Sequence, residues 1–354
     1  MIGVFVKVPL NANTLLIIIH VRFMMIKKLI LSSLLLSSSL ASAGSYDDCI
    51  LSKMAGADND EQAQTIRDMC QAKVETAKRE GITSGAISKR LLAEKQTQWN
   101  RHSITAHKQN YILPYTHSNK VNRAPYAFQS DWADELKSYE AKFQLSIKVP
   151  LTTNPFFTDT DGLYVGFTLQ SWWQLYAGEI SAPFRETNYQ PEIFYLTATN
   201  WHPFGGSTGV TIGMEHQSNG RSQLLSRSWN RVYTSFLFEK DNFALSLRPW
   251  YRIKEDEKED PNESEGDDNP DIEKYMGHFE LRSAYRWNDH EFSLMSRNNL
   301  RSDNKGAVEL GWSFPLMGHL KGFIQYFNGY GESLVDYNHN TERVGVGILL
   351  TDLL

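Results

Sequence analysis

From about residue 140 onward, the sequence returns repeatedly to a two-residue alternation of apolar and polar side chains. The clearest apolar half-sets are Phe143, Leu145, Ile147 and Val149; Val308, Leu310, Trp312 and Phe314; and Val344, Val346, Ile348 and Leu350. Because successive side chains of a β-strand point to opposite faces, each such segment predicts a strand with one apolar and one polar face. The pattern therefore indicates an all-β protein.

Two architectures are compatible with this pattern, a soluble β-sandwich and a transmembrane β-barrel. The barrel is favoured by an export signal, by a chain that ends on a strand, and by aromatic residues near the strand ends: Trp172, Trp173, Trp250, Tyr251, Trp287 and Tyr326. Eleven strands are clear, and Asn110–Ser118, with weak alternation, would complete the even number that bacterial barrels prefer. We therefore predict a twelve-stranded antiparallel transmembrane barrel over residues 109–354, preceded by a small helical extension.

The N-terminal residues predict a secretory signal peptide. Two lysines precede the apolar stretch Leu29–Leu40, and the small residues Ala41–Ala43 form a cleavage site. We expect residues 1–43 to be removed on export. A translation start assigned too early, with the true start at Met24, is an additional hypothesis.

Residues 44–108 predict a helical periplasmic extension, because they are rich in residues that favour helices. The 2 cysteines of the sequence, Cys49 and Cys70, lie in this region. Export would bring them into an oxidising compartment, so a disulfide between them is favoured over two free thiols.

The charge of the sequence argues against a nucleic-acid partner and allows two interpretations of one acidic segment. The net charge of −5 gives no basic footprint for nucleic acid. Lys254–Asp271 is strongly acidic, and we interpret it as a solvated surface loop, with cation binding as the alternative. Positions predicted to face the barrel interior carry both signs, which favours a filled lumen over an open pore: Glu215, Glu280, Arg282, Arg286 and Glu309.

The most informative segment is residues 210–231. Val210, Ile212 and Met214 share one parity and should face lipid, and the same parity continues to His216 and Ser218. On the next predicted strand, Asn230 has the parity of the apolar residues that follow it. The outer wall of the barrel would thus carry His, Ser and Asn side chains near its rim.

Polar groups that face lipid are costly unless they are paired, and pairing of these three would build a serine-hydrolase triad. Ser218 would be the nucleophile, His216 the base, and Asn230 the residue that fixes the imidazole tautomer. A neutral Asn avoids a charge at the lipid boundary. As bare residue types, His and Ser two positions apart are a weak signal, and a strand that ends before His216 would leave both in a loop.

Longer motifs in the same region resemble the outer membrane phospholipase A family. They comprise Glu215–Ser222, Ser226–Arg231, Ser171–Leu175, Pro183–Tyr189, Asp268–Asp271 with Lys274–Gly277, Gly329–Ser333 and Arg343–Gly347. The similarity covers the chain from about Asn110 to its last residues.

This resemblance implies a twelve-stranded barrel in the bacterial outer membrane and calcium-dependent hydrolysis of phospholipid and lysophospholipid acyl esters, that is, phospholipase A1/A2 activity. It also implies activation by formation of a homodimer. It assigns the triad to His216, Ser218 and Asn230, in agreement with the parity argument.

The resemblance also implies a Ca²⁺ ion at the dimer interface. Its ligands would be the Arg221 carbonyl and the Ser226 hydroxyl of one subunit and the Ser181 carbonyl of the other, and the ion and the Gly220 amide would stabilise the oxyanion. Gln223 stands where a carboxylate would strengthen a calcium site in the monomer, and Leu169 stands where the family can place a glutamine in the dimer interface.

Two other functions remain as alternatives. One is a channel or structural barrel without catalysis. The other is an outer-membrane protease, which would need catalytic residues that face inward at the aqueous rim. The outward parity of His216 and Ser218 opposes it.

Overall fold

The computed structural model describes residues 64–72, 85–97, 104–152, 154–158, 161–260, 263, 266–318 and 320–354. The expected signal peptide (residues 1–43), the hypothetical start at Met24 and Cys49 lie outside these residues. Cys70, which lies in the helix over residues 64–72 (α1), is disulfide-bonded. Within the described ranges, no helix has the length and apolar character needed to span a membrane.

Twelve antiparallel strands form a closed barrel, as the alternation predicted. The barrel closes where the strand Asn340–Thr351 pairs with Asn110–Ser118, which is therefore the missing twelfth strand. The short strand Thr105–Ala106 pairs with the end of the strand Tyr139–Pro150. The strands are β1 (Thr105–Ala106), β2 (Asn110–Ser118), β3 (Tyr139–Pro150), β4 (Gly162–Trp173), β5 (Phe184–Thr199), β6 (Ser207–Ser218), β7 (Ser228–Lys240), β8 (Phe243–Ile253), β9 (Phe279–Trp287), β10 (His290–Asn298), β11 (Gly306–Met317), β12 (Leu320–Tyr330) and β13 (Asn340–Thr351).

The two ends of the barrel differ in their connections. The turn end has the connections 151–161, 200–206, 241–242, 288–289 and 318–319, three of which are two-residue turns, and it also has both ends of the described barrel segment. The loop end has the connections 119–138, 174–183, 219–227, 254–278, 299–305 and 331–339. In bacterial barrels the short turns are periplasmic and the long loops face outward. The remaining described helices are α2 (Ala86–Thr97), α3 (Ser130–Asp134) and α4 (Glu273–Met276), and the 3₁₀ turns are Ala124–Tyr126, Gly178–Ile180, Pro203–Gly205 and Gln223–Leu225.

Along a strand, alternate side chains face the inside of the barrel and its outer wall. On β3, Lys142 and Ser146 are buried inside the barrel, whereas Leu145 and Val149 are about half exposed on the outer wall. An apolar exterior is what a lipid environment requires, since the closed ring of strands already satisfies the backbone hydrogen bonds.

The interior is filled by paired charges. Glu140 forms ion pairs with Arg185 and Arg343, each at 2.9 Å, and Glu332 is paired with Arg343 and Lys142. A buried charge is tolerated only when it is paired and hydrogen-bonded. Because Arg343 is shared by both glutamates, the loss of one member would leave another buried charge without a partner.

The charged positions predicted to face inward lie in ion pairs with groups on other strands or neighbouring positions: Glu215 with Arg231 and Arg248, Glu280 with Arg282, Arg286 with Glu291, and Glu309 with Lys142. The lumen holds a cavity of about 200 Å³, lined in part by Glu215, Glu280, Arg282 and Glu309. This volume has room for several water molecules.

At the turn end, α2 docks against the barrel. Glu239 of β7 accepts hydrogen bonds from the backbone amides of Ile87 and Ser88 at 2.8 and 3.0 Å, so it satisfies donors that the first turn of a helix leaves unpaired. From the same helix, Arg90 donates to the carbonyls of Asp352 and Leu353 at 3.0 and 2.9 Å. The extension predicted to be helical therefore contributes a helix that holds the C-terminal segment.

Candidate active site

The outward face of β6 carries His216 and Ser218. Ile212 and Met214 are just over half exposed on this face, whereas Glu215 is 4% exposed on the inner face. His216 continues the exposed set and Ser218 is half-buried as the last residue of the strand. The strand thus extends through both residues, so the alternative in which they lie in a loop is wrong.

On β7, Asn230 also faces outward. Val232 and Phe236 are exposed on its side of the strand, whereas Arg231 and Tyr233 are buried on the other. The register of β6 and β7 places His216 directly opposite Asn230. Two polar side chains on a lipid-facing wall therefore become cross-strand neighbours, which are the closest side-chain pairs in a sheet.

His216 and Asn230 are hydrogen-bonded, with 2.8 Å between His216 Nδ1 and Asn230 Oδ1. Because the amide oxygen can only accept, Nδ1 carries the proton and donates it. In the neutral imidazole, the other ring nitrogen, Nε2, then carries no proton and can act as a base. This is the tautomer that a serine hydrolase needs.

Ser218 lies on the same face, one strand repeat beyond His216. Its backbone neighbours across the sheet are Tyr189 and Ser228. Among the described residues, its hydroxyl makes no hydrogen bond, and none joins it to His216. Catalytic hydrogen bonds of this kind are often long without substrate and shorten in the reactive complex.

The loop 219–227 begins directly after Ser218 and is organised by Asn219. The Asn219 side chain is buried, its Nδ2 donates to the Leu225 carbonyl at 2.7 Å, and its Oδ1 accepts from the Arg227 amide at 3.0 Å. Its backbone amide also donates to the Arg227 carbonyl. One residue therefore holds both ends of the loop together, a role that the sequence did not reveal.

Gly220, the predicted oxyanion residue, lies at the exposed tip of this loop with a φ of 62°. That left-handed conformation favours glycine. A Cβ there would also lie 3.2 Å from the Tyr189 ring. The backbone conformation thus favours glycine at this position, two residues after the candidate nucleophile.

The three predicted calcium ligands lie on two loops at the loop end. Ser226 donates its hydroxyl hydrogen bond to Asp268 Oδ2 at 2.6 Å. Arg221, five residues earlier, donates its guanidinium to the carbonyls of Phe184 and Arg185. Ser181 ends the 3₁₀ turn of loop 174–183 with a φ of 63°. The described residues contain no cluster of three His, Cys, Asp or Glu side chains that could hold a metal.

The acidic connection is more structured than the predicted solvated loop. Arg252 donates to both carboxylate oxygens of Asp267, at 2.6 and 2.7 Å. Tyr337 donates to Asp271, and burial together with this hydrogen bond raises the pKa of the Tyr337 hydroxyl. The first part of the loop is exposed, and there Glu255 Oε1 accepts a hydrogen bond of 2.6 Å from Asn230 Nδ2.

A family model and a curated relative that match this chain carry the same description, phospholipase A1. Residues 87–350 match the model of the family described as phospholipase A1. The chain is 40% identical over 271 residues to the phospholipase A1 of Escherichia coli strain K12, which covers 76% of this chain and 88% of the relative. The family match begins in α2, further toward the N-terminus than the motifs from Asn110 onward indicated.

Two solved structures are similar throughout the barrel. The structure of outer membrane phospholipase A from Escherichia coli shares 40% identity, covers 71% of this chain and 100% of its own, and gives a TM-score of 0.65. The Salmonella typhi outer membrane phospholipase dimer, a crystal structure with bound calcium, shares 36% identity, covers 75% of this chain and 98% of its own, and gives a TM-score of 0.67.

Proposed function

The chain belongs to the phospholipase A1 family, and from this premise we propose that it hydrolyses acyl esters of phospholipids and lysophospholipids in the outer membrane with His216, Ser218 and Asn230. The observation that carries the assignment is the 2.8 Å hydrogen bond between His216 and Asn230 on the outward face of the barrel. A nucleophile beside this pair meets membrane lipid and not solutes of the lumen. The substrate class follows from that position.

In the first half of the reaction, His216 Nε2 accepts the Ser218 hydroxyl proton as the Ser218 oxygen attacks the ester carbonyl carbon. The tetrahedral intermediate then collapses, and His216 returns the proton to the departing glycerol oxygen. Water hydrolyses the resulting acyl-serine in the second half, again with His216 as base, and the fatty acid is released. Asn230 remains neutral and holds the imidazolium that forms in each half.

The oxyanion needs a positive partner that is already in place before the reaction. The Gly220 amide is our candidate, because its loop position follows Ser218 and its conformation is fixed by the left-handed turn. Asn219 stabilises the conformation of this loop, because its side-chain hydrogen bonds to Leu225 and Arg227 hold the two ends of the loop together.

The residues of this loop also fit a calcium ion. Ca²⁺ prefers hydroxyl, carbonyl and carboxylate oxygens, and the candidate ligands are the Arg221 carbonyl and the Ser226 hydroxyl. Because the Ser226 hydroxyl donates its hydrogen bond to Asp268, its lone pairs remain available to a cation, and a carboxylate lies beside it. When bound, the ion would add positive charge near the oxyanion.

The calcium coordination would be completed by the Ser181 carbonyl of a second subunit, so the active form would be a homodimer. Gln223, in the same loop, is neutral and adds no charge of its own to the site. This proposal therefore makes calcium binding depend on the dimer, because two of the protein ligands come from one subunit and the third comes from the other.

The experiment measures fatty-acid release from phospholipid in mixed micelles by refolded protein, with calcium and with a chelator, for the wild type and Ser218→Ala. We expect release that requires calcium and is lost in the variant. A folded barrel that releases no fatty acid in either condition would support a structural or channel function. Single-channel conductance in a planar bilayer would test the channel directly.

A further inference from the structure

The proposed triad has a further polar contact that the mechanism does not use. Asn230 donates its amide hydrogen to Glu255 at 2.6 Å, while its carbonyl oxygen faces His216 at 2.8 Å. Glu255 lies two residues after the end of β8, in the exposed part of the acidic connection. The three side chains thus form a continuous line, His216–Asn230–Glu255, from the outer wall into the loop.

This contact determines which way the Asn230 amide points. An amide has a donor end and an acceptor end of nearly the same shape, so it can turn over unless its partners distinguish them. An ionised carboxylate has no hydrogen to donate, so it accepts only from the Nδ2 end. With Nδ2 held by Glu255, Oδ1 is left facing His216 Nδ1, and the imidazole must carry its proton there.

The position of Glu255 also suits the lipid boundary. A carboxylate directly opposite His216 on the outer wall would carry a full charge at the edge of the apolar belt. Here the charge lies on an exposed loop residue, and the neutral amide connects it to the histidine. The negative charge can still favour the imidazolium that forms during the reaction.

We propose that Glu255 is a positioning residue of this site, which fixes the Asn230 amide and through it the His216 tautomer. The proposal rests on the proposed function, since it presumes that His216 is the catalytic base. It adds a fourth side chain, which acts through Asn230 and does not touch the substrate.

The single variants compare carboxylate with amide at position 255. Glu255→Gln keeps the size of the side chain but can donate as well as accept, so the amide at 230 is free to turn over. We expect it to lower kcat about five- to twentyfold with KM unchanged, the effect of replacing a hydrogen bond to a charged group by a neutral one. Glu255→Asp, which keeps the charge, should restore part of the rate. Glu259→Gln removes an exposed charge from the same loop and serves as the matched control.

A second pair of variants separates positioning from general damage to the loop. Asn230→Asp places two carboxylates in contact, so in that background Glu255→Gln should relieve repulsion and raise kcat. The same substitution therefore lowers the rate in the wild-type background and raises it in the Asn230→Asp background. A structural role for Glu255 predicts a loss, or no change, in both.

The rates of the Glu255 variants are interpreted only after fatty-acid release has been measured for two references, the wild type and Ser218→Ala. If the wild type releases no fatty acid, or Ser218→Ala is as active as the wild type, the proposed function fails and Glu255 has nothing to position. If those references behave as expected but Glu255→Gln matches Glu259→Gln, or lowers kcat in both backgrounds, the role of Glu255 is overturned. Folding of each variant is checked by circular dichroism and by heat-dependent migration in detergent gels.

Discussion

At the scale of single residues, the direction of a side chain decides whether it can take part in the proposed chemistry. His216 and Asn230 face outward because each shares the parity of the lipid-facing residues on its strand, and the register sets them opposite one another. Two-residue periodicity is a local property, so the sequence predicted this face correctly. The Glu255–Asn230 contact was not predictable, because Glu255 lies beyond the end of β8 in a loop that has no periodicity.

Asn230→Ala should lower the rate of fatty-acid release about ten- to a thousandfold and leave the barrel folded, since an orienting residue contributes much to rate without attacking the substrate. The measurement is kcat for folded protein in mixed micelles. Thr234→Ala, which alters another outward-facing residue of β7, is the control. Equal rates for the two variants would remove Asn230 from the triad.

At the scale of elements, the loop 219–227 carries the parts of the site that the strands cannot supply. Its candidate residues, Gly220, Arg221 and Ser226, lie within seven positions and are held by the side chain of Asn219. The predicted roles of these three residues came from resemblance to a family. Serine hydroxyls and backbone carbonyls occur throughout any sequence, so they do not by themselves indicate a metal site. Asn219 was missed because nothing local distinguishes an asparagine that closes a loop from one that faces solvent.

We expect Asn219→Ala to raise the calcium concentration needed for half-maximal activity about threefold or more, since the loop loses hydrogen bonds that are each worth roughly 1 kcal/mol. The titration is done with folded protein and buffered calcium. Ser222→Ala is the matched control, because Ser222 is exposed in the same loop and makes no capping hydrogen bond. An unchanged midpoint would mean that the loop keeps its shape without Asn219.

At the scale of the whole molecule, the barrel is filled by ion pairs and supported at its turn end by α2. Strand number and closure followed from the alternation and from the even-number preference of bacterial barrels, which identified Asn110–Ser118 as the weakest strand. The docking of α2 could not be derived in this way. It depends on Glu239, which accepts from the Ile87 amide 152 positions earlier, and on Arg90, which donates to the Leu353 carbonyl 263 positions later. Residues so far apart in sequence meet only after the barrel has closed.

Arg90→Ala should lower the free energy of unfolding in detergent by about 1–3 kcal/mol, because the carbonyls of the C-terminal segment lose a charged donor. The rate of lipid hydrolysis by the folded variant should equal that of the wild type, since the candidate site lies at the opposite end. The measurement is guanidinium unfolding followed by tryptophan fluorescence, with Lys89→Ala, an exposed neighbour on α2, as the control. A variant that unfolds at the wild-type midpoint would show that α2 is not a support.

The outward direction of His216 and Ser218 has a kinetic consequence. A site on the lateral wall of a barrel samples molecules that diffuse in a plane, so its substrate concentration is a mole fraction within one leaflet and not a molarity. Diluting phospholipid with inert lipid or detergent should slow the reaction even when the bulk amount of substrate is constant. Diluting the same vesicles with buffer should leave the rate per enzyme molecule unchanged, because the mole fraction of phospholipid in the membrane stays the same. A leaflet that contains almost no phospholipid would then keep a fully assembled enzyme silent.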